Sequence, residues 1–281
     1  MESERAIIDN YARPNLDETI LTALERAGTD PASLTRDDVT AVDEFHIKGR
    51  EATRELAELA EFSAGSTVLD VGSGVGGPAR TLAAEFDCRV TGIDLVDEYC
   101  RTATALTERV GLDDRVTFRR ANALDLPFDD ERFDGVWLQH VAPNVENTSR
   151  LFAELHRVLR PGGRLALHEI YAGSGGSPHV PVPWASDPSI SHLRPVDELS
   201  ESLVDAGFEE IVWRDVTDES LAWFRVKVEK MSERPADAPT PVGLTPLMGP
   251  DTAEKMRNVV RNLEEERIGV CQAVMAASPR R

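Results

Sequence analysis

Between Val68 and Arg80 the chain runs Val-Leu-Asp-Val-Gly-Ser-Gly-Val-Gly-Gly-Pro-Ala-Arg, and this stretch restricts the fold more than any other. Val68 to Val71 has the apolar run of a short buried strand. Gly72 to Gly77 is a glycine turn, because glycine accepts positive φ and lets a ligand approach backbone closely. Pro78 then opens a helix, where its missing N–H would have had no partner in any case. Strand, glycine turn and helix N-terminus together form a nucleotide-type site in a doubly wound α/β sheet.

Gly72, Gly74 and Gly77 fit the G-x-G-x-x-G dinucleotide fingerprint, which by itself leaves the ligand open between a nicotinamide-type cofactor and other adenosine compounds. Asp70 tilts the choice. It stands two residues before the first glycine, where a fixed negative charge would oppose a pyrophosphate. S-adenosylmethionine carries a sulfonium, an ammonium and an adenosine without phosphate, so it meets no such conflict. Arg89 to Asp94 reads as the next strand, and its terminal carboxylate stands 20 positions beyond Gly74. That is the spacing at which an acid meets ribose hydroxyls, so Asp94 is the strongest single ligand residue.

Downstream segments continue the alternation of strand and helix that builds a parallel sheet with crossover helices. A helix over 96–110 leads to a strand over 115–119. Asn122 follows a strand end and offers both donors and an acceptor, which suits an adenine edge. Arg132 to His140 is a fourth strand with Gln139 and His140 at its carboxyl end, the rim on which open α/β sheets bind ligands. A helix over 150–159, a turn at Arg160–Arg164 and a strand over 165–170 come next. After these, a helix over 196–206, a strand over 209–216, helices over 221–231 and 251–266, and an apolar closing strand over 268–277 are expected.

Two regions stand apart. Residues 1–62 read as helical, with Asn15-Leu-Asp-Glu opening one helix, Thr35 a shorter one, and Ala52, Leu56, Leu59 and Ala60 forming an apolar stripe. They are expected to form an N-terminal helical cap on a domain spanning 63–281. Residues 172–195 turn rich in Gly, Ser, Pro and His, and unstructured stretches of that length are usually lids or binding loops. A second lid segment is expected near 218–267.

Lysine plus arginine number 31 and aspartate plus glutamate 50, giving a net charge of −19. Such a surface repels nucleic-acid phosphates and anionic membranes, so neither is an expected partner. Its acidity and shortage of lysine suit a high-salt cytoplasm, where self-repulsion is screened. Cys88, Cys100 and Cys271 have no C-x-x-C spacing, so neither zinc nor a disulfide framework is expected. No metal site is expected at all. The acidic N-terminus and the lack of a long apolar run point to a cytoplasmic protein without signal peptide or membrane span. A small-molecule acceptor is the expected partner, with a homodimer kept as the candidate assembly.

Asp70-Val-Gly-Ser-Gly-Val-Gly, Asp94, Asn122-Ala123 with Leu126-Pro-Phe128, Phe133-Asp-Gly-Val-Trp137 and Leu159-Arg-Pro-Gly-Gly-Arg164 resemble the motifs of class I S-adenosylmethionine-dependent methyltransferases, in the right order. The resemblance implies a seven-stranded Rossmann-like sheet whose last strand is antiparallel. A narrower resemblance rests on Phe45-His-Ile-Lys-Gly-Arg50, Gly76-Gly-Pro-Ala-Arg80, Gln139-His-Val141 with Asn144, Val182-Pro-Trp184 and Trp213-Arg-Asp-Val-Thr217. These look like sarcosine and dimethylglycine N-methyltransferases. The resemblance implies a cofactor site of Asp70, Gly72 and Gly74 on the methionine side, with Asp94 and Leu95 on ribose and adenine. It also implies Asn122 and Ala123 on adenine and Gln139 near the methionine, with His46, Gly49 and Arg80 helping to close over the cofactor. Asn122 stands where the family usually has Asp, Lys48 where a second glycine is common, and Ala142-Pro-Asn144 where Met-Asn-Ile is frequent.

For an amine acceptor, His140 and His168 are candidate bases. Trp184, Trp213, Trp223 and Phe224 are candidates for cation–π contact, and Arg214 or Arg225 for a carboxylate. The leading expectation is methylation of an amine such as sarcosine or dimethylglycine. The alternatives are C- or O-methylation of a quinone, sterol or polyketide-like acceptor, a non-catalytic S-adenosylmethionine-binding protein, and a nicotinamide-dependent oxidoreductase.

Overall fold

In the computed structural model, residues 2–233 and 243–279 are described, and the part of the second expected lid at 234–242 lies outside them. Seven strands form one sheet: β1 Thr67–Val71, β2 Arg89–Asp94, β3 Val116–Arg120, β4 Phe133–Gln139, β5 Leu159–Ala172, β6 Phe208–Asp215 and β7 Ile268–Ala277. Their order is β3-β2-β1-β4-β5-β7-β6. The first five run parallel, while β7 lies antiparallel to both β5 and β6, as the resemblance implies. Strand order reverses between β1 and β4, and that switch point is where an open α/β sheet leaves a crevice.

Two apolar layers cover the sheet. On one face, helix α4 (Arg50–Ala60) buries Leu56, Ala57 and Ala60 against Val68, Trp137 and Ala166, together with Leu82 of α5 (Gly77–Glu85). On the other, Leu151, Phe152 and Leu155 of α7 (Thr148–Val158) and Leu199 and Leu203 of α8 (Val196–Asp205) pack on Leu69, Leu138 and Leu167. Each fully buried side chain of this size adds roughly 1.5–3 kcal/mol.

The N-terminal region forms α1 (Glu2–Tyr11), α2 (Leu16–Arg26) and α3 (Arg36–Asp43). Helix α3 starts with a capping box between Thr35 and Asp38. Leu16, Ile20 and Leu24 of α2 share a core with Val39, Val42, Val75 and with Leu106 of α6 (Asp97–Arg109), so the helices sit on the sheet's ligand-side rim. Beyond β6, α9 (Thr217–Ser232), α10 (Thr245–Met248) and α11 (Thr252–Glu264) pack with residues of the 172–195 segment in a separate apolar cluster.

The structure departs from the sequence expectations locally. Helix α5 starts at Gly77, placing Pro78 inside its first turn, and α9 starts four residues before the expected 221. The Arg160–Arg164 turn is absorbed as a bulge in β5: pairing jumps from Phe133↔Leu159 to Gly135↔Arg164, and Gly162 has φ +74°. Among the described residues, no helix is long and apolar enough to cross a membrane.

Candidate active site

A cavity of about 370 Å³ lies above the carboxyl ends of β1, β2 and β4. Its floor is the glycine turn. Gly72 (φ +70°) and Ser73 both donate backbone N–H groups to Ile93 O, at 2.8 and 2.9 Å, which stitches the turn to the end of β2. Gly74 (φ +53°) donates to Asp94 Oδ2 at 3.0 Å, while Asp94 Oδ1 accepts from Val96 N–H at 2.9 Å. Asp94 thus braces the turn and still faces the cavity. Burial holds its carboxyl up at about 6.

Asp70 is 2% exposed and its Oδ2 has no partner. Burial first, then the nearby Glu44 and Asp94 charges, push its carboxyl to about 8. A buried carboxyl with an unused oxygen beside a cavity is suited to a cationic ligand, and the methionine end of S-adenosylmethionine carries an ammonium. Asn122 accepts Leu124 N–H at 2.9 Å on its Oδ1, leaving its amide donors for a ligand. Gln139 is fixed by Trp137, whose indole N–H donates to Oε1 at 2.7 Å.

Most of the residues singled out in the sequence meet here. Asp70, Gly72, Gly74, Asp94, Leu95, Asn122, Ala123, Gln139, His46, His140, Trp184, Trp223 and Phe224 all line the cavity. Four others do not. Arg80 is 1% exposed and sealed beneath the turn, donating to Asp43 Oδ2 at 2.8 Å, Val75 O at 2.7 Å and Thr107 Oγ1 at 2.9 Å. It supports the glycine turn from behind instead of closing over a ligand. Gly49 caps α4, with its N–H on His46 O, and stands behind the wall. His168 is buried under Gln139 and His140. Arg214 is exposed on β6, the edge strand farthest from β3, so it cannot reach an acceptor in the cavity. Arg225 pairs with Glu264 at 2.8 Å, also outside, and Trp213 packs on the main core. One face of Trp223 already carries Lys227, 5.0 Å from the ring centre.

Three imidazoles cluster here, His46 and His140 in the cavity wall and His168 behind it. His140 is 4.5 Å from His168 and 6.3 Å from His46, centre to centre. Burial and the His46 charge hold His140 down at about 3, and burial holds His168 well below the usual imidazole range. Both rings are therefore neutral near neutral pH. His46 is engaged at both nitrogens, Nε2 with Glu44 at 2.7 Å and Nδ1 with Ile47 O at 3.3 Å.

Other lining residues were not legible as functional. Tyr11 and Ile7 reach the cavity from α1, Phe45 and Ile47 from the segment before α4, and Met256 and Val259 from α11. In sequence Ile7, Tyr11, Met256 and Val259 are ordinary apolar helix positions, and Phe45 and Ile47 stood out only as parts of a motif, with no role of their own. Only the i, i+3 pairing of Met256 and Val259 marks a packed face, and it does not say against what.

A family profile for the methyltransferase domain matches residues 69–167. An O-methyltransferase from Aspergillus nomiae is 30% identical over 185 residues, covering 66% of this chain and 82% of that protein. Erythromycin 3''-O-methyltransferase from Saccharopolyspora erythraea is 31% identical, covering 66% of this chain and 64% of that protein. A methyltransferase from Streptomyces halstedii is 38% identical over 47% of this chain, and the match spans about half of that protein, 48%. Among solved structures, the [4+2]-cyclase SpnF superposes with a TM-score of 0.68 at 24% identity, over 94% of this chain and 93% of that one. A putative sarcosine dimethylglycine methyltransferase from Galdieria sulphuraria gives 0.68 at 16% identity, over 83% and 86%. The two superpositions show a shared fold.

Proposed function

The chain belongs to the class I S-adenosylmethionine-dependent methyltransferases, and from that premise we propose that it methylates oxygen or carbon on a bulky, largely apolar acceptor of quinone, sterol or polyketide type. The observation that carries this reading is the cavity wall beyond the cofactor floor. Ile7, Phe45, Ile47, Trp184, Phe224 and Met256 surround it, and among the described residues no lysine or arginine lines it. Sarcosine and dimethylglycine each bring a carboxylate, and a buried carboxylate without a cation is strongly disfavoured. The expected arginines, Arg214 and Arg225, lie outside the cavity. O-methylation in the names of two of the relatives above supports the same direction.

When bound, S-adenosylmethionine supplies a methyl group on a sulfonium for in-line displacement. Asp70 would hold the ammonium end, Gly72 and Gly74 would admit the ligand to the backbone, Asp94 would take the ribose hydroxyls, and Asn122 with Ala123 would meet adenine. The aromatic and aliphatic wall would exclude water and orient the acceptor, which is most of what such a displacement needs from protein. Helix α1 and the 172–195 segment, which supply part of that wall, would act as lids.

A radiolabelled methyl-transfer panel tests the acceptor class. Hydroxynaphthoquinones, a sterol and a macrolactone should include the preferred acceptor, with sarcosine and dimethylglycine inactive. Transfer to either amino acid at rates above every apolar compound would overturn the reading.

A further inference from the structure

Ile47 donates its backbone N–H to His140 Nε2 at 3.1 Å. A nitrogen that accepts from an N–H carries no proton, so the neutral His140 ring must carry its proton on Nδ1. Turning the ring over would set a carbon against the buried Ile47 N–H, which the fold would then leave unsatisfied. Nδ1 itself is shielded from water and has no partner in the protein, on a ring that lines the cavity. The residue is also held at φ +55°, with its own N–H on His168 O at 2.9 Å. Left-handed backbone at a non-glycine residue persists only where the surroundings enforce it, and such positions cluster at functional sites.

We infer that His140 serves the acceptor as a hydrogen-bond donor through Nδ1–H and not as a base, and that the acceptor is an acidic enol or phenol that reacts as its oxyanion. The inference rests on the O- or C-methylation reading above and narrows its substrate class. Among the described residues, no other wall group offers a free basic nitrogen. Both His46 nitrogens are engaged, and His168 does not reach the cavity. Tyr11 spends its hydroxyl proton on Asn144. Asp43 gives one oxygen to Arg80, Asp70 and Asp94 belong to the cofactor floor, Glu4 is half-buried, and Glu146 is open to solvent.

An oxyanion nucleophile removes the need for a base. Its lone pair forms the new bond to the methyl carbon as the carbon–sulfur bond breaks, the bonding pair stays on sulfur, and the two opposite charges cancel without release of a proton. For an enolate the same balance holds whether oxygen or the adjacent carbon takes the methyl group. Such an anion needs no fixed lysine or arginine, because it lies against the sulfonium itself. Nδ1–H would hold the oxygen in line and select the ionised form, since a neutral hydroxyl is the weaker acceptor.

The test begins with nitrogen-15 NMR of histidine side chains in the protein bound to S-adenosylhomocysteine, with His140→Asn used to assign the signal. His140 should show the Nδ1–H tautomer, no titration across the usual imidazole range of roughly pH 5 to 8, and a shift of Nδ1 when lawsone, an acidic hydroxynaphthoquinone, is added. A proton on Nε2, a midpoint inside that range, or an Nδ1 signal unmoved by saturating lawsone would overturn the inference. None of these readouts needs turnover, so they stay separate from a failed acceptor panel. Activity with lawsone adds a second arm. Asparagine places an amide donor near the Nδ1 position, so His140→Asn should stay within about tenfold of the parent, whereas His140→Ala should lose on the order of 100-fold or more, as for removal of an oxyanion donor. Both variants lose the acceptor of Ile47 N–H, so their difference isolates the donor. Equal losses of about 100-fold or more in both would identify a base instead.

Discussion

The Tyr11 hydroxyl donates to Asn144 Oδ1 at 2.8 Å, joining residues 133 positions apart. The Asn144 amide nitrogen in turn donates to Trp184 O at 2.8 Å and Ile190 O at 2.9 Å. One buried side chain therefore ties helix α1 and the 172–195 segment together at the cavity. Asn144→Leu would leave the Ile190 carbonyl without a partner and the Tyr11 hydroxyl and Trp184 carbonyl with only their long 3.4 Å contact, at about 1–3 kcal/mol for each buried group that water cannot reach. Tyr11→Phe removes one neutral hydrogen bond and should lower stability by roughly 1 kcal/mol. Urea unfolding should rank the two variants in that order, and limited proteolysis should cut near 12–15 and 173–190 faster in Asn144→Leu. Equal proteolysis of parent and variant would count against the tie.

A second prediction concerns Gly72. A Cβ there would come 2.3 Å from Val141 Cγ2, and the backbone stands at φ +70°. Gly72→Ala therefore meets a clash and a left-handed backbone together. The conformational part is about 1–2 kcal/mol and no neighbouring change can remove it. Val141→Ala in the same chain removes the clash. The double variant should recover part of the lost stability and cofactor affinity, a coupling that a double-mutant cycle reads directly. Simple additivity would mean that Val141 does not set the height of the turn.

The strand–glycine–helix unit, Asp94 and the alternation of strands with helices were legible because each is a local pattern with a short-range physical cause. The positions of Arg80 and Arg214 were not. Arg80 follows the glycine turn closely enough to suggest a cofactor contact, but Asp43 draws it inward from 37 residues away. Arg214 alternates with Trp213 along β6, and a strand's sequence does not reveal which end of the sheet it occupies. His140 was visible as a titratable group on the ligand-facing rim. Its proton position depends on Ile47 N–H, 93 residues earlier, and so appears only in three dimensions. The amine acceptor followed from motif resemblance, and the motifs that carry it do not say which side chains wall the cavity.

Arg80 carries a third prediction. Its ion pair with Asp43 is almost completely buried, and removing one partner of such a pair typically costs about 3–5 kcal/mol. Even with Arg80 present, burial holds the Asp43 carboxyl up at about 6. In Arg80→Met that value must rise further, because the opposing charge is gone. A folded-state value above the unfolded one means that this group favours folding at low pH and that the contribution is lost as pH rises through the folded value. The stability deficit of Arg80→Met should therefore be largest near about pH 8 and shrink toward about pH 5. Denaturant midpoints at the two pH values check this, and a pH-independent deficit would mean that Asp43 is not the group exposed to the loss.

The last prediction follows from Asp70. Its carboxyl stands at about 8 in the free protein, so near neutrality it holds a proton. Its folded value lies above the ordinary carboxyl value of about 3.9, so this group's contribution to stability is present below that value and is lost as pH rises through about 8. A bound cation reverses the preference, since an ammonium beside Asp70 favours the carboxylate. S-adenosylmethionine binding at about pH 7 must then release a proton, and affinity must rise with pH toward about 8. Asp94, at about 6, is mostly ionised there already and should contribute little. Calorimetry in phosphate and in Tris, whose ionisation enthalpies differ widely, should give binding enthalpies separated by close to one proton's worth of buffer heat. Asp70→Asn should remove the separation and weaken binding. Identical enthalpies for the parent protein in the two buffers would place the ammonium somewhere other than Asp70.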